Sequence, residues 1–306
     1  MRITVDISPA VHRHAGLGRY ASELLSALAA TDSADRFCGF YYAPRGERPD
    51  PPLDRIPSHS IRLPAKPWRM SVLLATLSRV SMDRWLPSAD VFHATDHLLP
   101  PLKNSRTVFT IHDLIFRFFP EYHLPLNRWF LTLMLPRFMR QANAVIAVSE
   151  NTRRDVERLM NVPGGKIHVV YEGVSPLFHP VHEQEGLAAV RAKYDLPQSF
   201  ILSVGTIEPR KNLPMLFEAY RALLERDRSA PLLVVVGRKG WLYQPVFDKL
   251  RELGLVERVR FADWVEGQDL PAVMSAASIF VFPSLYEGFG LPPLEAMACG
   301  TPVMSS

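Results

Sequence analysis

Residues 278–306 read SIFVFPSLYEGFGLPPLEAMACGTPVMSS, and the fold is decided here. The β-branched and aromatic run from Ile279 to Phe282, ended by Pro283 and Ser284, predicts a strand. Pro292 or Pro293 then suits the first helical position, because proline presets φ and lacks only an N–H that the first turn leaves unused. After Gly300 a second apolar strand begins at Thr301. Strand, helix and strand in so short a span predict a parallel pair joined by a helical crossover.

The same rhythm recurs upstream. The runs RITVDIS (2–8), RTVFTIH (106–112), NAVIAVS (143–149), FILSVGT (200–206) and PLLVVVG (231–237) each precede a longer segment of helical periodicity. This predicts an α/β protein built on doubly wound, Rossmann-like parallel sheets. At 306 residues the chain exceeds one comfortable core. The segment VVYEGVSPLFHPVHEQEG (169–186) breaks the rhythm with prolines, histidines and acids, and no apolar strand resumes before residue 200. The expected organisation is a first domain at 1–172, a linker at 173–197 and a second domain at 198–306.

Composition narrows the function classes. Hydrophobic residues make up 47% and charged ones 22%, as in an ordinary globular protein. Lys and Arg number 35 against 31 Asp and Glu, a net charge of +4 that is too thin an excess for a nucleic-acid partner. The two cysteines, Cys38 and Cys299, offer neither a disulfide framework nor a Cys-rich metal site. The N-terminus reads as a strand rather than a signal peptide, and no apolar window is long enough to span a bilayer. A cytoplasmic location is expected. The segment KPWRMSVLLATLSRVSMDRW (66–85) mixes basic residues, two tryptophans and an apolar stripe. It fits peripheral contact with an anionic membrane face, and equally a core helix with a snorkelling basic rim.

In open parallel sheets, ligands lie beyond the carboxyl ends of the strands. That rule selects His112 and Asp113, Gly205 and Thr206, Gly237 and Arg238, and the loop from Pro283 to Glu287. In VGTIEPRKNLP, Asn212 reads as the N-cap of a helix starting at Leu213, so Arg210 and Lys211 lie just before a helix N-terminus. Cations there oppose the helix dipole by roughly 0.3–1 kcal/mol each unless an anion intervenes. A diphosphate would resolve the conflict; the plainer reading is two solvated cations beside Glu208.

In the closing loop, Glu287 and Glu295 flank a turn in which Gly288 and Gly290 permit close approach, leaving the amides of Phe289, Gly290 and Leu291 to bind an anion. Carboxylates cannot hold phosphate oxygens, but they accept hydrogen bonds from the vicinal hydroxyls of a ribose or a sugar ring. The alternative is an acid at a helix start and a solvated loop acid. Gly16 and Gly18, in HRHAGLGRYASELLSAL, read as a glycine loop opening a helix, with His12, Arg13 and His14 as solvated neighbours. His112 reads as a site residue, with a satisfied core histidine as the alternative. No D-x-D pair occurs, so the carboxylate clamp for a metal is absent and no metal is expected; no cofactor is expected either.

Together VGTIEPRKNL, FVFPSLYEGFGLPPLEAMACGTPV, AVSENTRRDV, VVYEGV and AGLGRY resemble the retaining glycosyltransferases of family four, over the whole chain. The resemblance implies two Rossmann-like domains in the GT-B arrangement. It implies a hexosyltransferase that moves a sugar, mannose or similar, from a nucleotide-sugar donor to a saccharide or lipid-linked acceptor, without a metal, as in bacterial surface-polysaccharide assembly. On this resemblance Glu295 holds the ribose, and Glu287 with the Phe289–Leu291 amides holds sugar and diphosphate. Arg210 and Lys211 take the leaving diphosphate, His112 reaches the donor sugar, and Gly16 and Gly18 line the cleft. Many relatives carry arginine directly after the glycine matching Gly205; here Thr206 stands there, and Arg210 is expected to substitute.

Family members also continue past CGTPV by about two βα units, on the order of 60 residues. The second domain is therefore expected to be incomplete, with apolar surface exposed. The competing readings are an inactive nucleotide-binding remnant and another GT-B enzyme such as a sugar-nucleotide epimerase or a phosphorylase.

Overall fold

The computed structural model describes residues 1–44 and 46–306, with only the backbone described at Ala15. The chain divides into two compact units, Met1–Glu172 and Gly173–Ser306.

The first unit runs β1 (Arg2–Asp6), α1 (Ser8–Val11), α2 (Ala15–Ala29), β2 (Arg36–Tyr42), β3 (Ser58–Ile61), α3 (Ala65–Ser78) and β4 (Val91–Ala94). It continues with β5 (Arg106–Ile111), α4 (Ile115–Phe118), α5 (Pro125–Gln141), β6 (Ala144–Ala147), α6 (Glu150–Met160) and β7 (Ile167–Val169). All seven strands pair in parallel in the order β3-β2-β1-β4-β5-β6-β7. Side chains alternate faces along a strand. In β2, Phe40 and Tyr42 accordingly pack with Trp68, Phe92 and Phe109, while Tyr41 packs on the other face with Val5, Ile7 and Leu25. Full burial of each such side chain contributes roughly 1.5–3 kcal/mol. Helix α6 starts where Ser149 Oγ accepts the Thr152 N–H at 3.0 Å, and it buries Val156 and Met160.

The second unit begins with α7 (Gln184–Lys193), followed by β8 (Phe200–Val204), α8 (Leu213–Arg226), β9 (Leu232–Val236), α9 (Gln244–Glu252) and β10 (Val259–Phe261). Helix α10 (Leu270–Ala276), β11 (Ile279–Phe282), α11 (Leu291–Ala298) and β12 (Val303–Ser305) complete it. Five parallel strands lie in the order β10-β9-β8-β11-β12. The uninterrupted LLVVV of β9 has a simple cause: Val234 and Val236 face the core beneath α10 and α11, while Leu233 and Val235 face that beneath α8 and α9. An apolar recess of about 370 Å³, lined by Ile201, Met215, Ile279, Val281 and Met304 among others, opens on this sheet.

Residues 173–197, expected as a linker, pack with the second unit. Leu187, Val190, Phe178 and Leu196 are buried in its core, and Asp269 accepts hydrogen bonds from Lys193 Nζ and Tyr194 Oη, both at 2.7 Å. Prolines and histidines at the start of the segment mask the helix that follows them. Among the described residues, no helix is long and apolar enough to cross a membrane.

Strand order reverses between β1 and β4 in the first sheet and between β8 and β11 in the second. These are the switch points beyond which a crevice forms. At the second, the β8 and β9 ends approach closely: a Cβ on Gly237, at φ +154°, would lie 1.9 Å from the Gly205 carbonyl oxygen. Gly16 is the opposite case, since a Cβ there meets nothing within 4 Å. Gly237→Ala should therefore lower the unfolding free energy by about 3 kcal/mol. Gly16→Ala, in the first turn of α2, should be neutral or raise it by up to about 1 kcal/mol. Urea titration of both variants checks the contrast, and equal effects would contradict it.

Candidate functional site

In the second unit the polar groups gather where β8 and β11 end. A turn of 3₁₀ helix, Pro209–Lys211, follows the β8 turn and precedes α8, and the Leu285 N–H donates to the Arg210 carbonyl at 3.0 Å, tying the β11 loop to it. Arg210 bridges two carboxylates: Nη2 lies 2.7 Å from Glu208 Oε1, and Nη1 contacts Glu287 Oε2. Lys211 Nζ lies 2.6 Å from Glu287 Oε1 and 4.6 Å from the centre of the Phe282 ring. The Lys211 stem passes Gly205 so closely that a Cβ there would stand 3.1 Å from Lys211 Cε.

Electrostatics sharpen the roles within this group. Burial raises the Glu208 carboxyl above its ordinary range despite Arg210 and Lys211, and its Oε2 is buried without a hydrogen bond. Burial pushes Glu287 the same way, but Lys211 and Arg210 outweigh it and hold Glu287 ionised, below the usual carboxylate range. Two cations and two carboxylates thus form a charge-balanced cluster at the switch point.

Gly290, at φ +102°, turns the β11 loop into α11, whose first residue is Leu291. Pro292 and Pro293 contribute no N–H, so few amides at this helix start can meet an anion. Helix α11 begins at Leu291, ahead of the prolines, so Glu295 is its fifth residue, just past the first turn, and is 2% exposed. Gly288 is buried and Phe289 half-buried in the same loop. Asn212 precedes α8 as expected but is left-handed, at φ 52°, and its side chain makes no capping bond. A capping side chain needs an extended backbone to reach the first-turn amides.

In the first unit His112 follows β5. Its Nδ1 lies 3.1 Å from Glu172 Oε1, its Nε2 3.0 Å from the Thr95 carbonyl oxygen, and the Tyr20 ring stands edge-to-face against it at 4.8 Å. Thr152 Oγ1 donates to the His112 carbonyl at 3.2 Å. Beside it, Thr110 Oγ1 meets His93 Nε2 at 2.7 Å and Tyr20 Oη at 3.1 Å. Burial, with the nearby His112 charge, lowers His93 to about 4, so this ring is neutral. Burial also lifts Asp6, at the end of β1, to about 7, against the Ser8 hydroxyl and N–H that bond it.

Gly16 and Gly18 belong to the first turn of α2 rather than to a glycine loop. Gly18 is a packing residue, since a Cβ there would fall 2.8 Å from the Pro9 carbonyl oxygen, whereas Gly16 is exposed. His12 is likewise not a solvated loop residue: its Nε2 meets the Tyr42 carbonyl at 2.8 Å. The structure brings Gly205, Arg210, Lys211 and Glu287 together in one unit, and centres the other on His112. Sequence reasoning does not select Glu172, Tyr20 or Asp6. Glu172 stands just beyond β7, so the strand-end rule would have found it had IHV been read as a strand.

Comparison with known proteins bears on both units. A family model described as Glycosyltransferase Family 4 matches residues 14–176, and one described as Glycosyl transferases group 1 matches residues 189–306. The O-antigen chain mannosyltransferase B of Escherichia coli is 32% identical, over 100% of this chain and 82% of its own. The serotype-specific mannosyltransferase WbdA of Escherichia coli is 33% identical over 66% of this chain, which spans 25% of its length. In fold, the sucrose-phosphate synthase of Thermosynechococcus elongatus superposes over 100% of this chain and 81% of its own with a TM-score of 0.77, at 21% identity. The two parallel-sheet units are those of GT-B glycosyltransferases, and the chain belongs to glycosyltransferase family four.

Proposed function

We propose that the enzyme moves a hexose, mannose in the first instance, from a nucleoside-diphosphate sugar to a saccharide or lipid-linked saccharide in surface-polysaccharide assembly. The transfer retains anomeric configuration and needs no metal. The observation that carries this reading is the Arg210–Lys211 pair at the switch point of the second sheet, where a leaving diphosphate would lie. The names of the relatives, both mannosyltransferases, support the sugar.

On this reading the reaction needs positive charge where charge grows. As the bond from the anomeric carbon to the diphosphate breaks, negative charge builds on the leaving oxygens and the sugar becomes oxocarbenium-like. Lys211 and Arg210 exchange Glu287 for these oxygens and stabilise them in a preorganised site. Glu287, released, accepts hydrogen bonds from sugar hydroxyls, and Glu295 those of the ribose. The acceptor hydroxyl bonds to the anomeric carbon on the face the diphosphate leaves, and its proton passes to the departing phosphate. A role for His112 in turnover is part of the same proposal. The absence of any D-x-D pair is compatible with cationic side chains taking the place of a metal.

The membrane contact rests on a separate observation. Helix α3 buries Trp68, Val72 and Leu73 but exposes Met70, Leu74 and Leu77, while Leu126, 79% exposed, and Trp129 project from the start of α5. Arg69 joins the two helices through Asn127 Oδ1 at 3.0 Å and the Phe130 ring at 3.6 Å. With Lys66, Arg79 and Arg128 also on the surface, this apolar and cationic face suits the anionic side of a membrane that carries a lipid-linked acceptor.

Calorimetry with GDP, UDP, dTDP and ADP should find one preferred nucleotide, and Glu295→Ala should weaken its binding roughly tenfold or more, the worth of a hydrogen bond to a charged group. Full binding and turnover in that variant would remove the assignment. Lys211→Ala should cut turnover by about 100-fold or more while EDTA leaves the wild-type rate unchanged; loss of activity in EDTA would show that a metal is needed. The protein should sediment with vesicles containing phosphatidylglycerol and not with pure phosphatidylcholine. Leu74→Glu combined with Trp129→Glu should release it, and binding by neither vesicle would end the membrane reading.

A further inference from the structure

The two ring nitrogens of His112 both face oxygens of its own unit. Nε2, 3.0 Å from the Thr95 carbonyl oxygen, must carry a proton, because a carbonyl can only accept. Nδ1 therefore meets Glu172 Oε1 at 3.1 Å either as a second N–H or as a lone pair. A lone pair against a carboxylate oxygen is repulsive, so one proton must lie between these two atoms. The side chains of His112 and Glu172 are only 12% and 7% exposed, so water does not substitute for that contact.

We propose that Glu172 is a positioning residue: by this shared proton it holds His112 as an imidazolium with both N–H groups turned inward, so that His112 offers the reaction positive charge rather than a basic ring nitrogen. The groups around the ring agree. Asp96, in the loop after β4, adds negative charge; Tyr20 from α2 and His93 from β4 bring no cation, since His93 is neutral. Burial opposes charge on His112, but the Glu172 hydrogen bond and charge outweigh it and raise its pKa above the ordinary 6.5. His112 then cannot act as a general base, since neither ring nitrogen has a free lone pair.

The effect on turnover rests on the donor reading above; the protonation does not, and the two are tested separately. In wild-type protein with ¹⁵N-labelled histidine, NMR at pH 6.5 should show both His112 nitrogens protonated, and a nitrogen bearing a lone pair there would overturn the proposal. Glu172→Gln keeps the shape and can donate to Nδ1, stabilising neutral imidazole, so His112 should titrate at least about one pH unit lower. An unchanged titration would also overturn it. Turnover of Glu172→Gln should fall roughly tenfold with little change in KM for the donor, and Glu172→Asp should recover part of it. If the NMR result holds but His112→Ala turns over normally, the donor role of His112 fails while the dyad stands. Linkage gives an independent check. A raised pKa contributes stability that is complete below 6.5 and is lost as pH rises through the folded-state value. Wild-type stability should therefore fall more than that of Glu172→Gln across that interval, and parallel curves would count against the dyad.

Discussion

Parallel pairing is the constraint on which the rest depends. A parallel strand cannot turn back on itself, so each must be returned by a crossover, and all carboxyl ends emerge on one edge of the sheet. In both units the strand order reverses once, at β1/β4 and at β8/β11, and the crossovers part there to opposite faces. The polar residues follow from this geometry. Asp6 closes β1 and His112 and Glu172 lie beyond strand ends in the first unit, while Gly205, Arg210, Lys211 and Glu287 lie beyond them in the second. A sheet buried on both faces supplies few polar groups within its strands, so chemistry collects at that edge.

This constraint also explains what the sequence revealed. Strands β1, β5, β6, β8, β9 and β11 are legible because central parallel strands need apolar residues on both faces, and unbroken runs such as LLVVV stand out. Strands β4 (VFHA), β7 (IHV) and β10 (VRF) are hidden by their length and by one polar residue each. Strand β3 (SHSI) at the sheet edge, mostly exposed, has little hydrophobic pattern to read. The helix in the supposed linker was obscured by the prolines before it, although Leu187 and Val190 carry the spacing of a buried stripe.

The site was legible residue by residue but not as an arrangement. Arg210, Lys211 and Glu287 could be selected from strand ends and turn chemistry, yet 76 residues separate Lys211 from Glu287 and 60 separate His112 from Glu172. No spacing rule joins residues so distant, and only the register of the sheets brings them together. Glu208 shows the limit well. From sequence it is a neighbour of two cations, whereas in the fold it is 1% exposed and anchors Arg210, fixing the guanidinium that spans to Glu287.

That pairing carries a consequence for the donor. Buried cations are held by buried carboxylates, because an unpaired charge in such a place is far more costly than a paired one. On the proposed reading, a diphosphate that takes Lys211 and Arg210 displaces Glu287, and a displaced, ionised carboxylate needs new hydrogen-bond donors. The sugar's hydroxyls supply them, while a nucleoside diphosphate alone offers only its ribose hydroxyls, which the same reading gives to Glu295. On that reading the same cluster that neutralises the leaving group favours the intact sugar nucleotide over its product. Selection of substrate and stabilisation of the transition state then arise from one exchange of partners, Glu287 passing from the cations to the sugar as the diphosphate takes its place.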